Sequence, residues 1–305
     1  MKEYILKTYN ISKKYKKNLV VDNVSISVKR GDIYGFIGQN GAGKTTIMKM
    51  ITGLVNPSEG YIEIFKEVEK NKINKERKRL GALIETPALY LDMSASENLE
   101  VLRIQKGIPG SSCVNEKLKM VGLENTGKKK VKQFSLGMKQ RLGIAMALLS
   151  DPEILILDEP VNGLDPKGIV EIRDLLKKLN KEKNMTIIIS SHLLSELNQV
   201  ATCYGIINNG KLIEEISQKE LYDKCKKALR IKVDDINKAV VCLESVLKTT
   251  NFKVLKNNTI KLYDYIDNQI EVSKALISSN VITEEIVSIG DDLEDYFMNL
   301  IGGRL

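Results

Sequence analysis

Gly38-Gln39-Asn40-Gly41-Ala42-Gly43-Lys44-Thr45 fits the pattern G-x-x-x-x-G-K-[ST], a loop whose glycines let successive backbone N–H groups turn inward around an anion. Its flanks are the ones the pattern needs. Residues 32–37, Asp32-Ile33-Tyr34-Gly35-Phe36-Ile37, read as a buried strand, and Ile47, Met48, Ile51 and Leu54 recur at helical spacing on the other side. The helix is predicted to start near Lys44 and to stop in Gly53-Leu54-Val55-Asn56-Pro57, so its positive dipole end adds to the anion site. Gly38, Asn40, Gly41, Ala42 and Gly43 then cradle nucleotide phosphates, and Lys44 reaches the outer ones. Thr45 places a hydroxyl where it completes a Mg2+ coordination sphere, and Thr46 supports an inner phosphate.

Further along, Ile154-Leu155-Ile156-Leu157-Asp158-Glu159 is an apolar strand that ends in two carboxylates. Beside a phosphate loop, two acids have two jobs. Asp158 is expected to hold the metal through water, and Glu159, facing the opposite side, to polarise the water that attacks the γ-phosphate. His192 follows the apolar run 186–190, and the end of a parallel strand points into the crevice where ligands gather, so His192 is expected to meet a phosphate there.

The 305 residues include 47 Lys and Arg, 39 Asp and Glu, one His, four Cys and 43% hydrophobic residues. Ordinary apolar content over this length builds one large or two modest domains and excludes disordered, collagen-like and disulfide-stapled classes. Cys113, Cys203, Cys225 and Cys242 make no C-x-x-C pair and His192 is the only histidine, so a zinc cluster is not expected and reduced thiols in a cytosol are. No run approaches the ~18 consecutive apolar residues of a membrane helix, and Met1-Lys2-Glu3 leads into mixed charge rather than a signal peptide. Residues 216–305 hold 13 basic against 14 acidic side chains, leaving 34 against 25 on residues 1–215. The basic first part is compatible with nucleic acid, anionic lipid or nucleotide phosphate, and runs such as Lys128-Lys129-Lys130 read as solvated faces.

Residues 4–28 alternate apolar and polar side chains, which predicts antiparallel strands. Residues 94–150 read as mostly helical from the capping box Ser94-Ala95-Ser96-Glu97, whereas 154–157 and 186–190 have the composition of parallel strands sealed on both faces. After Glu215 the elements shorten. We read strand 229–233, helix 236–247, strands 252–255 and 260–263 joined at Asn257-Asn258, helix 269–277, strand 282–287 and helix 293–300. That order, βαββαβ, is the split-βαβ arrangement. Two domains are expected, 1–218 and 226–305.

Phe134-Ser135-Leu136-Gly137-Met138-Lys139-Gln140-Arg141 resembles the signature motif of the nucleotide-binding subunits of ATP-binding-cassette (ABC) transporters, and it stands just ahead of the Asp158-Glu159 strand as that family's order requires. The resemblance spans about residues 2–218 and takes in Gly163-Leu164-Asp165 as the D-loop and Ser191-His192 as the switch histidine. It implies an α/β P-loop NTPase fold (ABC ATPase) with an antiparallel β subdomain and a helical subdomain, here followed by a small C-terminal α+β domain. It further implies ATP and Mg2+ as ligands, with Tyr15 stacked on adenine. The implied assembly is a head-to-tail dimer, a homodimer in the simplest case, in which Ser135 and Gly137 of one subunit contact the γ-phosphate held by Lys44 of the other. The partner would be an integral membrane permease, the place the cytoplasmic face of the cell membrane, and the activity ATP hydrolysis coupled to transport.

Two departures stand out. Leu136 and Met138 occupy signature positions where the family commonly has glycine and glutamine, and Glu85, in Leu83-Ile84-Glu85-Thr86-Pro87, stands where it usually has the Q-loop glutamine. A carboxylate still approaches Mg2+ or its waters, so Glu85 joins Thr45 and Asp158 on the metal side, but it adds charge and lacks the amide's donors. Glu85, together with the ending Leu293-Glu294-Asp295-Tyr296-Phe297-Met298 before Gly302-Gly303, resembles the lantibiotic-immunity and bacitracin-resistance branch of exporters. That likeness alone points to peptide antibiotics as cargo. Residues 85–99, with Leu89, Tyr90 and Met93 as lining, are expected to form the groove that docks on the permease.

The alternative from another class is a nucleic-acid- or ribosome-associated cassette ATPase, which the basic first part would serve. Proteins of that kind resemble paired cassettes or carry a long coiled coil between P-loop and signature. The roughly 90 residues between Lys44 and Ser135 leave no room for such an arm, so no nucleic acid is expected. A third reading makes residues 226–305 the sensor of a nucleotide-gated regulator, and the Asp158-Glu159 pair argues for turnover instead.

Overall fold

The computed structural model describes residues 3–225, 227–290 and 293–302, and its contacts group into two compact units, Met1–Gln218 and Lys219–Leu305. Gly303, the second glycine of the C-terminal pair, lies outside the described residues. The first unit opens with β1 (Tyr4–Tyr15), β2 (Asn18–Val24) and β3 (Ser27–Lys29), followed by β4 (Ile33–Ile37), helix α1 (Lys44–Thr52) and β5 (Glu59–Ile64). Strand β1 pairs antiparallel with β2, β3 and β5, which is the antiparallel subdomain that the alternation over residues 4–28 predicts, with β5 as an added member. Next come α2 (Lys70–Glu76), β6 (Leu80–Leu83), α3 (Ala95–Gln105), α4 (Ser112–Met120), α5 (Leu136–Leu148), β7 (Ile154–Leu157), α6 (Pro166–Lys183), β8 (Thr186–Ser191), α7 (Leu194–Asn198), β9 (Cys203–Asn208) and β10 (Lys211–Ser217).

The central sheet runs β10-β9-β4-β8-β7-β6. Its neighbours are parallel except β9 and β10. Every residue of β4, β7 and β8 is buried, which is why their sequences show apolar runs and no alternation. Register sets Ile37 beside Ser191 and Leu157 beside Ile189, so the loops after β4, β7 and β8 all leave from one edge of the sheet. In an open parallel sheet that edge is where ligands bind.

Helices α3, α4 and α5 form the helical insertion. At its start the capping box is complete: Ser94 Oγ accepts from the Glu97 N–H at 3.2 Å, and Glu97 Oε2 accepts from the Ser94 N–H at 2.6 Å. The Lys117 side chain on α4 has no exposed surface, and its ammonium lies 2.6 Å from Asp151 Oδ1 and 3.1 Å from Glu116 Oε1. This pair ties the insertion to the corner that precedes β7.

The second unit contains most of α8 (Gln218–Cys225), then β11 (Ala228–Val233), α9 (Ile236–Ser245), β12 (Phe252–Leu255), β13 (Thr259–Leu262), α10 (Gln269–Ser278), β14 (Thr283–Ile289) and α11 (Leu293–Gly302). Its sheet, β12-β13-β11-β14, is antiparallel throughout. Leu229, Ile231, Ile260 and Leu262 pack with Leu243 and Leu276 in the core. The asparagine pair makes the β12–β13 turn with φ of +58° at Asn257 and +51° at Asn258, the left-handed region that asparagine tolerates.

One close approach locks the edge of the central sheet. A Cβ on Gly81, in β6, would stand 2.2 Å from the carbonyl oxygen of Ala147 on α5 and 2.9 Å from Pro152 Cγ. Backbone cannot yield as a side chain does, so Gly81→Ala is expected to cost about 1–3 kcal/mol of stability, read as a lowered urea midpoint with an unchanged slope.

Candidate functional site

The loop after β4 takes its shape from contacts on both sides. A Cβ on Gly38 would lie 2.4 Å from the Ile207 carbonyl oxygen, and Gly43 has φ +106° as the residue preceding α1, a conformation that favours glycine. No side chain caps the first N–H groups of α1, so they face the loop's concavity with the helix dipole behind them. A cleft of about 270 Å³ is lined there by residues 40–46, Val20, Glu159 and Asn162. Val20 and Asn162 are additions that sequence reasoning missed, because neither residue type carries a signal of its own.

Lys44 is buried, and its Nζ donates to the carbonyl oxygens of Gly38 at 2.6 Å and Gln39 at 3.2 Å. The same ammonium is 3.4 Å from Glu159 Oε1. Thr45 Oγ1 donates to Asp158 Oδ2 at 2.7 Å. The other oxygen of Asp158 accepts from Ser190 Oγ at 2.6 Å, and Ser190 Oγ in turn accepts from the Glu159 N–H at 2.8 Å. Ser190 therefore sets the positions of both acids, and sequence reasoning missed it. The available signal was a hydroxyl closing an otherwise apolar strand.

Glu159 has φ +49°, in the left-handed region. Its Oε2 is 2.7 Å from His192 Nδ1. His192 thus meets the carboxylate in this structure, and the P-loop, the acid pair and the histidine converge at one sheet edge. Glu85 lies at the same edge with φ +63°, its Oε1 2.6 Å from Lys49 Nζ. That hydrogen bond is the main cause holding Lys49 above the ordinary lysine pKa. Lys49 is a second residue that sequence reasoning missed.

Of the tyrosines that precede the motif, Tyr34 is buried and donates to Glu215 Oε1 at 2.7 Å, while Tyr9 donates to Glu63 Oε2 at 2.9 Å and stacks on Tyr61. Tyr15, at the end of β1, is exposed, with the Lys13 ammonium 5.1 Å from its ring centre.

Ser135 and Gly137 lie elsewhere. Ser135 caps α5, accepting from the Met138 N–H at 3.3 Å, and both residues open outward, with the nearest neighbour of a Cβ on Gly137 at 3.9 Å. Neither is among the described residues lining the cleft of Lys44. A second cleft, of about 660 Å³, runs between Glu85, Leu89 and Leu91 on one side and Leu136 and Gln140 on the other, and reaches Asp158 and Glu159. Leu89 and Leu91 line it, and Tyr90 and Met93 are not among its described lining residues. The Asn98 side chain accepts from the Tyr90 N–H at 2.8 Å and donates to the Tyr90 carbonyl at 3.0 Å, fixing that turn with the Tyr90 ring exposed.

No helix among the described residues is long and apolar enough to cross a membrane. The ABC transporter family model matches residues 21–162. The bacitracin transport ATP-binding protein BcrA of Bacillus licheniformis is 46% identical over 300 residues, 98% of each chain. The lantibiotic transport ATP-binding protein SrtF of Streptococcus pyogenes is 46% identical over 69% of this chain and 90% of its own. Among solved structures, cbiO1 of Clostridium perfringens, part of an ABC transporter complex, has a TM-score of 0.67 at 29% identity over 73% of this chain and 92% of that one. A dimeric ATP-binding cassette in a post-hydrolysis state with ADP and Pi has a TM-score of 0.64 at 28% identity, over 70% and 99%. The fold, the convergence of P-loop and acid pair, and relatedness over nearly the whole length agree: the chain belongs to the ATP-binding proteins of the ABC transporter family and is an ATPase subunit.

Proposed function

We propose that the chain powers the export of a peptide antibiotic of the bacitracin or lantibiotic type, as the nucleotide-hydrolysing subunit of a transporter whose permease is a separate membrane protein. The observation that carries the cargo class is the 46% identity, over 98% of both chains, to a bacitracin transport ATP-binding protein. The nucleic-acid alternative is not favoured, since the relatives reported above are transport proteins. The subunit works at the cytoplasmic face of the membrane, held there by its permease.

In this reading the cleft of residues 40–46 takes the triphosphate. Lys44 exchanges its carbonyl partners for the outer phosphates, Thr46 supports an inner one, and Tyr15 offers its exposed ring to adenine. The paired oxygens of Thr45 and Asp158, 2.7 Å apart, suit a hard cation, and Glu85 lies at the same edge. Mg2+, when bound, offsets phosphate charge. Glu159 takes the proton of the attacking water, and His192, 2.7 Å from it, orients that carboxylate and stands near the γ-phosphate. Ser135 and Gly137 open outward rather than into their own chain's cleft, which supports a head-to-tail homodimer in which each signature helix closes the partner's site. The cleft beside Leu89 and Leu136 is the groove for the permease.

Lys44→Ala is expected to abolish nucleotide binding or hydrolysis, measured by equilibrium binding of ATP and by phosphate release. Glu159→Gln should still bind ATP, hydrolyse it about 10²- to 10⁴-fold more slowly, and accumulate as a nucleotide-bound dimer on size-exclusion chromatography. In cells, Glu85→Gln should alter antibiotic survival more than basal hydrolysis. Deleting the chain should raise bacitracin or lantibiotic susceptibility several-fold, and unchanged susceptibility to both would remove the cargo assignment.

A further inference from the structure

An acid in place of the Q-loop amide puts a third carboxylate near Asp158 and Glu159, at a site that has to accept an anionic nucleotide. Strands β6 and β7 are paired neighbours, Leu83 beside Leu157, and the Asp158 N–H donates to the Leu83 carbonyl at 2.9 Å. Asp158 and Glu85 therefore leave adjacent strands side by side. The φ of +63° at Glu85, uncommon outside glycine, bends the chain just past β6, and its carboxylate lies against α1.

The group it meets there is Lys49, 2.6 Å away. Lys49 follows Thr45 by four residues, one turn along the same face of the helix. Thr45 holds Asp158, so α1 presents a hydroxyl and an ammonium, one above the other, to two acids from neighbouring strands.

We propose that Lys49 is a positioning residue for Glu85: it neutralises the carboxylate and holds it against α1, so that MgATP meets the net charge an amide would give. The inference rests on the reading that Lys44, Thr45 and Asp158 receive MgATP. With side-chain exposures of 30% and 63% the pair adds little to stability. Its effect falls on the bound anion.

The test is a double-mutant cycle on the full chain, reading the Kd of a fluorescent ATP analogue and the Mg2+ concentration for half-maximal binding. K49M should weaken binding about tenfold in the presence of Glu85 and less than about twofold in the E85Q background, while K49R stays within about twofold of wild type. The Mg2+ requirement should move in the same pattern. K49Q serves the same comparison if K49M does not fold. An equal loss on both backgrounds overturns the role of Lys49 and leaves the nucleotide site standing, whereas a wild-type chain that binds no MgATP removes the site and this inference together.

Discussion

Asp158 is a buried carboxylate whose two oxygens are met by two hydroxyls, Thr45 from the start of α1 and Ser190 from the end of β8. An ionised acid out of water needs such partners, and these come from segments 113 and 32 residues away. They reach it only if β4, β8 and β7 lie side by side in their observed register. A one-residue slip in a strand turns every side chain to the other face, so the site and the central sheet stand or fall together. Ser190 adds a further tie: by accepting the Glu159 N–H it sets the backbone of the acid that faces His192.

The parts of this arrangement that were legible in the sequence are those whose chemistry is local. The P-loop announces itself because glycine, lysine and threonine must follow one another at fixed spacing, and the apolar runs 154–157 and 186–190 because a doubly covered strand has no room for alternation. Asn257-Asn258 marks its turn for the same reason. Ser190 and Lys49 were hidden because serine and lysine are common, and what distinguishes them is a partner 32 or 36 residues distant. Helices α2 and α8 bury little, Ile73 in one and Leu221 with Cys225 in the other, so they carry almost no periodic signal. The Asn98 hydrogen bonds that fix the turn at Tyr90 leave no trace in the sequence, because they depend on the fold around a helix start.

Charge in the first unit is distributed as its ligand would require. Near the cleft, Lys44 and Lys49 each stand within ion-pair distance of one acid, Glu159 and Glu85 respectively. The concave loop itself presents backbone N–H groups rather than side-chain charge. Backbone dipoles do not rearrange as flexible ammonium groups do, so the cradle is pre-shaped.

The Lys117 pair has a mechanical meaning. Water reaches none of the Lys117 side chain, so separating it from Asp151 would leave its ammonium with Glu116 as its remaining ion-pair partner, 3.1 Å away. The helical insertion and the corner at residue 151 therefore travel as one piece. From that corner Pro152 and Glu153 lead into β7, which ends just before Asp158 and Glu159. The insertion is thus anchored one short strand away from the acid pair.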